Sequence, residues 1–572
     1  MDFFGVYHSN YSRSCGGICD APCITKGRMM LCAEDIASAG QQIAMLEGRL
    51  RNRVALAEAL GCAKDEKPAM LALRAYLKWG EAYPSHIEGP AATCVMDAGE
   101  DVMVLSRDRM GEIPLFYALR EDSAAFAGHP DFLLKSDSAE PVADADGLRE
   151  IFGLGPARTP GRTGFRDVQS VEPGCALVIR QGKCRIDRYF SISAAEHEED
   201  AAATVEHTRG LLEQAVSEVS ALRPLVMLSG GLDSTALTAL LARVNGSVLS
   251  FSVDYQDNNR DFRANAFRPE MDAPYVEMAV RALGTQHRTV TIDQASLARG
   301  LGRAVSLRGF PGMADIDSSL MLFAEQLVRY GRDAVSGECG DEVFAGYPWF
   351  AGDAAPTGFP WSGSLALRES LLLPEIRGKL KLEQYVRDVF ETRRAAADPG
   401  AGFSPAERRL MILQKLCFEF FMSNLQEHAV RMCQGAGLRV LTPLCDDRLV
   451  QYVYNVPAEM KFMGGQEKGL FRAAVRNLLP EKLLKRKKSP YPKTCSPQYA
   501  QIVRRMALAL VSDKDAPLFQ LVDRERVRQI AESDLNPVDT PWFGQLMAGP
   551  QLLGYLWQVN RWLAERRVTV QL

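Results

Sequence analysis

The chain has 572 residues, 47% of them hydrophobic and 24% charged, the balance of a globular protein with room for about two to four domains. A net charge of −4 excludes a strongly basic surface, so nucleic acid is not an expected partner. No apolar run approaches the roughly 20 residues that span a bilayer, and the opening "MDFFGVYHSN" lacks the regions of a secretory signal; the expected location is cytoplasmic, with no membrane partner.

The first part of the chain, residues 1–195, reads as α+β. Strand-length apolar runs follow one another in "FFGVY", "IAMLEG", "ATCVMD", "DVMVLSRD", "LFYAL", "SAAFAG" and "CALVIR", with turn residues between them. "PAMLALRAYLKWG" instead has helical spacing through Met70, Leu71, Leu73 and Tyr76. The thirteen cysteines are mostly scattered in apolar contexts and are expected to be reduced and buried. One group, Cys15, Cys19, Cys23 and Cys32, is denser. Its spacing is not the paired CxxC of zinc sites, and it reads either as a glycine-containing loop or as a metal cluster.

A small acidic stretch, "SISAAEHEEDAAA", marks the boundary, and residues 196–572 form the second expected domain. Here strands and helices alternate. "PLVML" precedes the helix-like "STALTALLARV", "SVLSFSV" precedes "YVEMAVRAL", and "HRTVTI", "SSLMLFAEQLVRYG" and "DAVSG" continue the pattern. Alternation of this kind predicts a parallel sheet covered by helices. Beyond about residue 365 the chain reads as mostly helical.

Two loops carry the chemistry. In "VMLSGGLDST" a strand runs into Ser229-Gly230-Gly231 and then a helix. Glycines let the backbone approach a ligand, and the free N–H groups at the helix start attract anions. The lysine of a Walker A loop is absent. Asp233 and Ser234 stand in the first helical turn instead. An aspartate beside a phosphate nest makes sense if Mg²⁺ bridges it to pyrophosphate. The second loop, "SGECGDEVFAGYPWF", also follows a predicted strand and sets Glu338, Asp341 and Glu342 close together. Loops at the carboxyl ends of strands in one parallel sheet face one crevice.

These two stretches resemble the pyrophosphate-binding loop and second signature of the asparagine synthetases, within the ATP pyrophosphatases. "LSRDRMGEIPLFY", "FPGMADIDSSLMLF", "RKKSPYPKT" and "PWFGQLMAGPQLLGYLWQVNRWL" extend the resemblance in order along nearly the whole chain. The resemblance implies an N-terminal Ntn-hydrolase-like α+β sandwich, then an α/β parallel-sheet ATP-pyrophosphatase domain with a helical C-terminal part. It implies a ligase that adenylates a carboxylate with ATP and Mg²⁺, releases pyrophosphate, and passes the acyl group to ammonia or another amine. It further implies that Ser229, Gly230, Gly231 and Ser234 hold pyrophosphate, with Lys468 a further candidate. Asp233 and Asp341 would bind Mg²⁺, Met227 and Val253 line the adenine, and Ser336 and Gly337 meet the nucleotide. Glu338 would take a proton from the attacking amine, and Lys487 would neutralise the α-phosphate, with Lys485, Arg486 and Lys488 close enough for a one-residue shift. Family members often form homodimers.

Four features depart from the family. Asp2 stands where glutamine-dependent members carry the nucleophilic cysteine, and an aspartate supplies no thiolate. "EGRLRN" stands for N-G-E-I-Y-N, so Glu47 replaces the oxyanion asparagine and Arg49 the glutamate. No counterpart of the arginine segment H-R-G-P-D occurs between residues 20 and 45. In "GLRVLTP", Arg439 and Leu441 replace a usual glutamate and arginine. The first domain is therefore expected to lack glutaminase chemistry, as in the related β-lactam synthetases and lasso-peptide cyclases. Aspartate is the first expected acceptor; a lactam- or amide-forming enzyme of a specialised pathway is the alternative.

Overall fold

The computed structural model describes residues 3–7, 20–121, 123–264, 268–352, 354–533 and 541–572. Asp2, Cys15 and Cys19 lie outside them. Two compact units form. One comprises Met1–Glu150, Arg158–Ser191 and Val568–Leu572, the other Ile151–Ala157 and Ile192–Arg567.

The first unit is built on two six-stranded sheets whose strand pairs are all antiparallel. Phe4–Tyr7 lies inside one sheet, between Ala124–Ala127 and Met29–Cys32. Ala91–Asp97 lies inside the other, between Val102–Ser106 and Gln42–Gly48. Phe3, Tyr7, Leu31 and Phe126 of the first sheet pack with Met45, Met96, Leu105 and Leu177 of the second, so the main core is the layer between the sheets. The second sheet's other face, including Ala44, Leu46, Val95 and Val104, is covered by the helices Arg53–Leu60 and Pro68–Trp79. This is the expected α+β sandwich. Several strands that the sequence did not announce lie at edges, whereas Met29–Cys32, also unannounced, lies inside the first sheet between Phe4–Tyr7 and Cys23–Lys26. Lys183–Arg188 is largely exposed, and its alternating charges suit a strand that must not pair further.

The cysteine expectation needs correction at Cys184, which is exposed, and at one pair. Cys23 and Cys32 are directly opposite on neighbouring antiparallel strands, with Cα atoms 4.0 Å apart, and are joined as a disulfide. Facing positions of this kind bring thiols within bonding reach. Among the described residues no group of three or more His, Cys, Asp or Glu side chains is gathered as a metal site.

The second unit contains a five-stranded parallel sheet in the order Gln286–Ile292, Leu249–Tyr255, Leu225–Met227, Asp333–Val335, Arg439–Leu441. Leu225–Met227 comes first in sequence and lies at the centre, so the direction of strand addition reverses beside it. The last strand, unannounced in the sequence, is an edge of three residues. Arg439 there forms an ion pair with Asp333 of the adjacent strand at 2.5 Å, while Leu441 is buried. The arginine that replaces the usual glutamate thus finds its partner at the sheet edge. From Leu365 onward the unit is mostly helical, as expected, and ends in the long helix Gly549–Glu565. Among the described residues no helix is long and apolar enough to cross a membrane.

Candidate active site

Strand reversal beside Leu225–Met227 opens a crevice at the carboxyl ends of that strand and of Asp333–Val335. Both sequence-predicted loops leave from these ends. In the first, Gly230 has φ +71°, and a Cβ there would lie 2.8 Å from the Val276 nitrogen, so only glycine fits the turn. The Ser229 hydroxyl accepts from the Gly231 N–H at 3.3 Å and lies 3.0 Å from the Ser234 hydroxyl, which accepts from the Ser229 N–H at 3.1 Å. These bonds fix two hydroxyls and the first amides of the helix Leu232–Asn245 around one point. Such a nest takes an anion with several oxygens.

The second loop turns at Cys339, whose φ is +74°, and enters the short helix Gly340–Val343. A Cβ on Gly340 would sit 2.6 Å from Asp233 Oδ1. The missing side chain lets the two loops close on each other. Met227, Ser229, Gly231, Asp233, Ser234, Val253, Ser336, Gly337, Glu338, Asp341, Lys468 and Lys487 all line one cleft. Gly230 lies behind this lining and shapes the turn.

The cations enter from far along the chain. Lys468, itself in a left-handed backbone conformation (φ +56°), places Nζ 2.5 Å from Asp233 Oδ2 and 2.7 Å from Asp341 Oδ1. Non-glycine residues held in this region commonly mark functional sites. Lys488 places Nζ 2.5 Å from Asp341 Oδ2. Lys487 lines the same cleft with an exposed side chain. Buried Arg486 pairs with Asp272, lies over the Tyr275 ring and donates to the Ser229 carbonyl at 3.2 Å, holding the glycine loop from behind.

Electrostatics divide the acids. Burial opposes the ionised form of Asp341, but Lys468 and Lys488 beside it outweigh burial and hold it down at about 2. Burial, with the neighbouring charge of Asp341, raises Asp233 despite Lys468. Among the described residues Glu338 forms no such ion pair. Burial and then the charge of Glu342 push it up to about 8, where a carboxylate can serve as a base near neutral pH. Glu342 is raised to about 7, first by burial and then by Asp341, and accepts from the Tyr347 hydroxyl at 2.7 Å. One carboxylate fixed as an anion and another poised for proton transfer make an acid–base arrangement of separate roles.

The sequence did not single out His428 and Asp317, which also belong here. His428 lines the cleft, and its Nδ1 lies 2.7 Å from Asp317 Oδ1. The only local signal is the spacing of Leu425 and His428, which puts two cleft residues one turn apart on the helix Ser423–Gln434.

With this geometry in hand, comparison with known proteins gives consistent results. A family model described as asparagine synthase matches residues 207–564, and one described as a glutamine amidotransferase domain matches residues 48–190. Asparagine synthetase (glutamine-hydrolyzing) 3 of Bacillus subtilis is 38% identical over 508 residues, covering 87% of this chain and 82% of its own length. Asparagine synthetase (glutamine-hydrolyzing) 1 of the same organism is 21% identical, covering 80% of this chain and 78% of itself. The amidase chyE of Penicillium rubens is 26% identical over 292 residues, 49% of this chain and 43% of its own length.

Proposed function

The chain belongs to the asparagine synthase family of ATP-dependent carbon–nitrogen ligases, which form AMP and pyrophosphate, and from that premise we propose that it adenylates a small-molecule carboxylate and amidates it with ammonia or another amine, without hydrolysing glutamine. One observation carries the reading: Asp233 and Asp341, from two loops at the ends of adjacent strands, converge on Lys468 beside the Ser229–Ser234 nest.

In this reading the nest and Lys468 hold the β- and γ-phosphates, while Met227 and Val253 flank the adenine and Ser336 and Gly337 the sugar and α-phosphate. Lys488, which like Lys468 contacts Asp341, neutralises the charge that grows on the α-phosphate oxygens as the acceptor carboxylate attacks; Lys487 is the neighbouring candidate from the sequence. The acids present suit Mg²⁺. Asp233 Oδ1 is buried without a hydrogen-bond donor, and hard cations take carboxylate oxygens. Asp233 and Asp341 would hold the ion, which when bound screens the phosphate charge. Glu338 then removes the proton from the amine as it attacks the acyl group, and AMP leaves.

The relatives from Bacillus carry "glutamine-hydrolyzing" in their names. Asp2 and Glu47 argue for a different nitrogen source here, because the residues that the resemblance equates with the thiol and the oxyanion asparagine are both acids. A second reading, an amide- or lactam-forming enzyme of a specialised pathway, is favoured by the same loss and by Arg439 and Leu441. The test is pyrophosphate release by the full chain with ATP, Mg²⁺ and a panel of acids including aspartate, with ammonium, glutamine or no amine. Release that depends on acid and on ATP supports the ligase; glutamate formed from glutamine would overturn the proposed nitrogen source.

A further inference from the structure

Two arginines tie together segments that are far apart in sequence. Arg486 opens the run Arg486–Ser489, which follows the short helix Glu481–Leu484 and is itself not helical. Its guanidinium pairs with Asp272, donates to the Ser229 carbonyl at 3.2 Å and lies 4.3 Å from the centre of the Tyr275 ring. A Cβ on Gly230 would come within 3.0 Å of the same guanidinium, so the glycine turn lies directly against it. Asp272 is shared further. Its Oδ2 accepts from Arg268 at 3.3 Å, and its Oδ1 accepts from the Ser489 hydroxyl at 3.2 Å. Both ends of the run, Arg486 and Ser489, are therefore tied to one carboxylate.

Arg472 holds the backbone of the same run. It lies on the helix Gly469–Ala474 and donates to the carbonyls of Leu484 and Arg486, the second at 3.1 Å. It also donates to the Glu467 carbonyl at 2.8 Å and to Glu467 Oε1 at 2.9 Å. Glu467 immediately precedes Lys468. One guanidinium thus spans the two segments that bring Lys468 and Lys488 to Asp341. Arginine suits the task because its five N–H donors stand in one rigid plane, whereas lysine offers a single charged point.

Between these anchors the run alternates. Arg486 turns to Asp272 and Lys488 to Asp341, while Lys487 between them is exposed. In a strand-like segment successive side chains leave on opposite sides. Fixing Arg486 therefore directs Lys488, two positions on, to the acids. The same guanidinium fixes the Ser229 carbonyl, so the glycine loop and the lysine are referred to one point.

We infer that Arg486, with Arg472 behind it, is a positioning residue: it sets the glycine loop and Lys488 in one frame and gives the lysine run the register in which Lys488 meets the α-phosphate. The inference rests on the ligase reading above and deepens it. Arg486 acts through Lys488, so its loss should make Lys488 dispensable for nucleotide binding.

The experiment is a double-mutant cycle, read by calorimetry as the affinity of the full chain for α,β-methylene-ATP with Mg²⁺, which needs no acceptor acid. In the wild-type background Lys488→Met should weaken binding about 10-fold. In the Arg486→Gln background the same change should cost less than about 2-fold. Arg486→Gln leaves Asp272 short of a buried partner and can impair folding. Arg486→Lys keeps the charge beside Asp272 and gives up the second arm to the Ser229 carbonyl. In that background Lys488→Met should cost less than about 4-fold. Equal losses from Lys488→Met in all three backgrounds would mean that Arg486 serves the fold alone, and would overturn the inference. Wild-type binding that Lys488→Met leaves unchanged would also overturn it, with the ligase reading still standing. No binding of the nucleotide by the wild type overturns both.

Discussion

Lys468 and Asp233 are 235 positions apart in sequence, yet Nζ and Oδ2 are 2.5 Å apart at the mouth of the glycine loop. A charge-assisted bond this short fixes the loop's first helical turn against a segment that would otherwise share nothing with it. Because Asp233 keeps its other oxygen free of donors, it can hold Lys468 and a metal ion at once. Asp233→Asn preserves shape and removes the charge. Pyrophosphate release should fall roughly 100-fold or more, with the circular dichroism spectrum and melting temperature close to wild type. Near-normal release by the folded variant would remove the metal assignment.

Glu338→Gln should separate the two half-reactions. Adenylation, read as pyrophosphate exchange, should stay within a few-fold of wild type, while amide formation drops by about 100-fold. The pH profile adds a second reading. Glu338 is held at about 8 by burial and by Glu342, so its base form fills as pH rises. At constant free-amine concentration, amide formation should climb about tenfold per unit below pH 8 and level off above it. The Gln variant should be flat. A wild-type profile already level at pH 6 would end this role for Glu338.

The lysine run offers a clean choice. Lys488 touches Asp341, whereas Lys487 is exposed. Lys488→Ala should slow adenylation by roughly 100-fold, and Lys487→Ala by less than about 10-fold. The opposite ranking in exchange assays would return the role to Lys487 and make the Lys488 contact a resting-state pairing.

Lys461 should report on stability. It is fully buried, donates to Gln414 Oε1 at 2.7 Å and to the Tyr454 carbonyl at 2.9 Å, and burial pulls it down to about 7. Gln414 in turn donates to the Val343 carbonyl at 2.9 Å, behind the acidic loop. Between pH 7 and the ordinary lysine range the folded chain carries a neutral amine and the unfolded chain an ammonium. The unfolded state binds more protons there, so stability rises with pH across that window, by up to about 1.4 kcal/mol per unit. Below pH 7 the penalty of burying the charge is fully present. Melting curves from pH 6 to 9.5 should show this rise, and Lys461→Met should lose it.

The N-terminal unit should release no glutamate from glutamine. Asp2→Cys alone should remain inactive, because Glu47 stands where the resemblance puts the oxyanion asparagine, and a carboxylate supplies no donor for the oxyanion. Glutamate formation by the wild type, with or without ATP, would overturn the prediction.

The two cleft loops were legible because each is local in sequence. Ser229 to Ser234 and Ser336 to Asp341 are contiguous, and each follows a strand that announces itself by apolar pattern. Lys468 and Lys488 were reachable only through the order of motifs, since a lysine in a charged run carries no sign of what it touches. Edge strands such as Cys23–Lys26 and Lys183–Arg188 escaped because half-exposed segments lack an apolar run. The helix Gln294–Arg308 escaped for a related reason, with two internal glycines and a weak apolar stripe. The Asp317–His428 pair spans 111 positions and depends on helix packing, a long-range placement that no spacing rule reaches.

The parallel sheet gives the two cleft loops and the lysines that meet them separate foundations. The loops hang from strand ends at the strand reversal, while Lys468 and Lys488 arrive from segments far along the chain. The charges of Asp233 and Asp341 are therefore balanced only once the chain's helical last part has packed against the sheet, and a chain cut short before Lys468 would carry the glycine loop and its acids without the cations that face them.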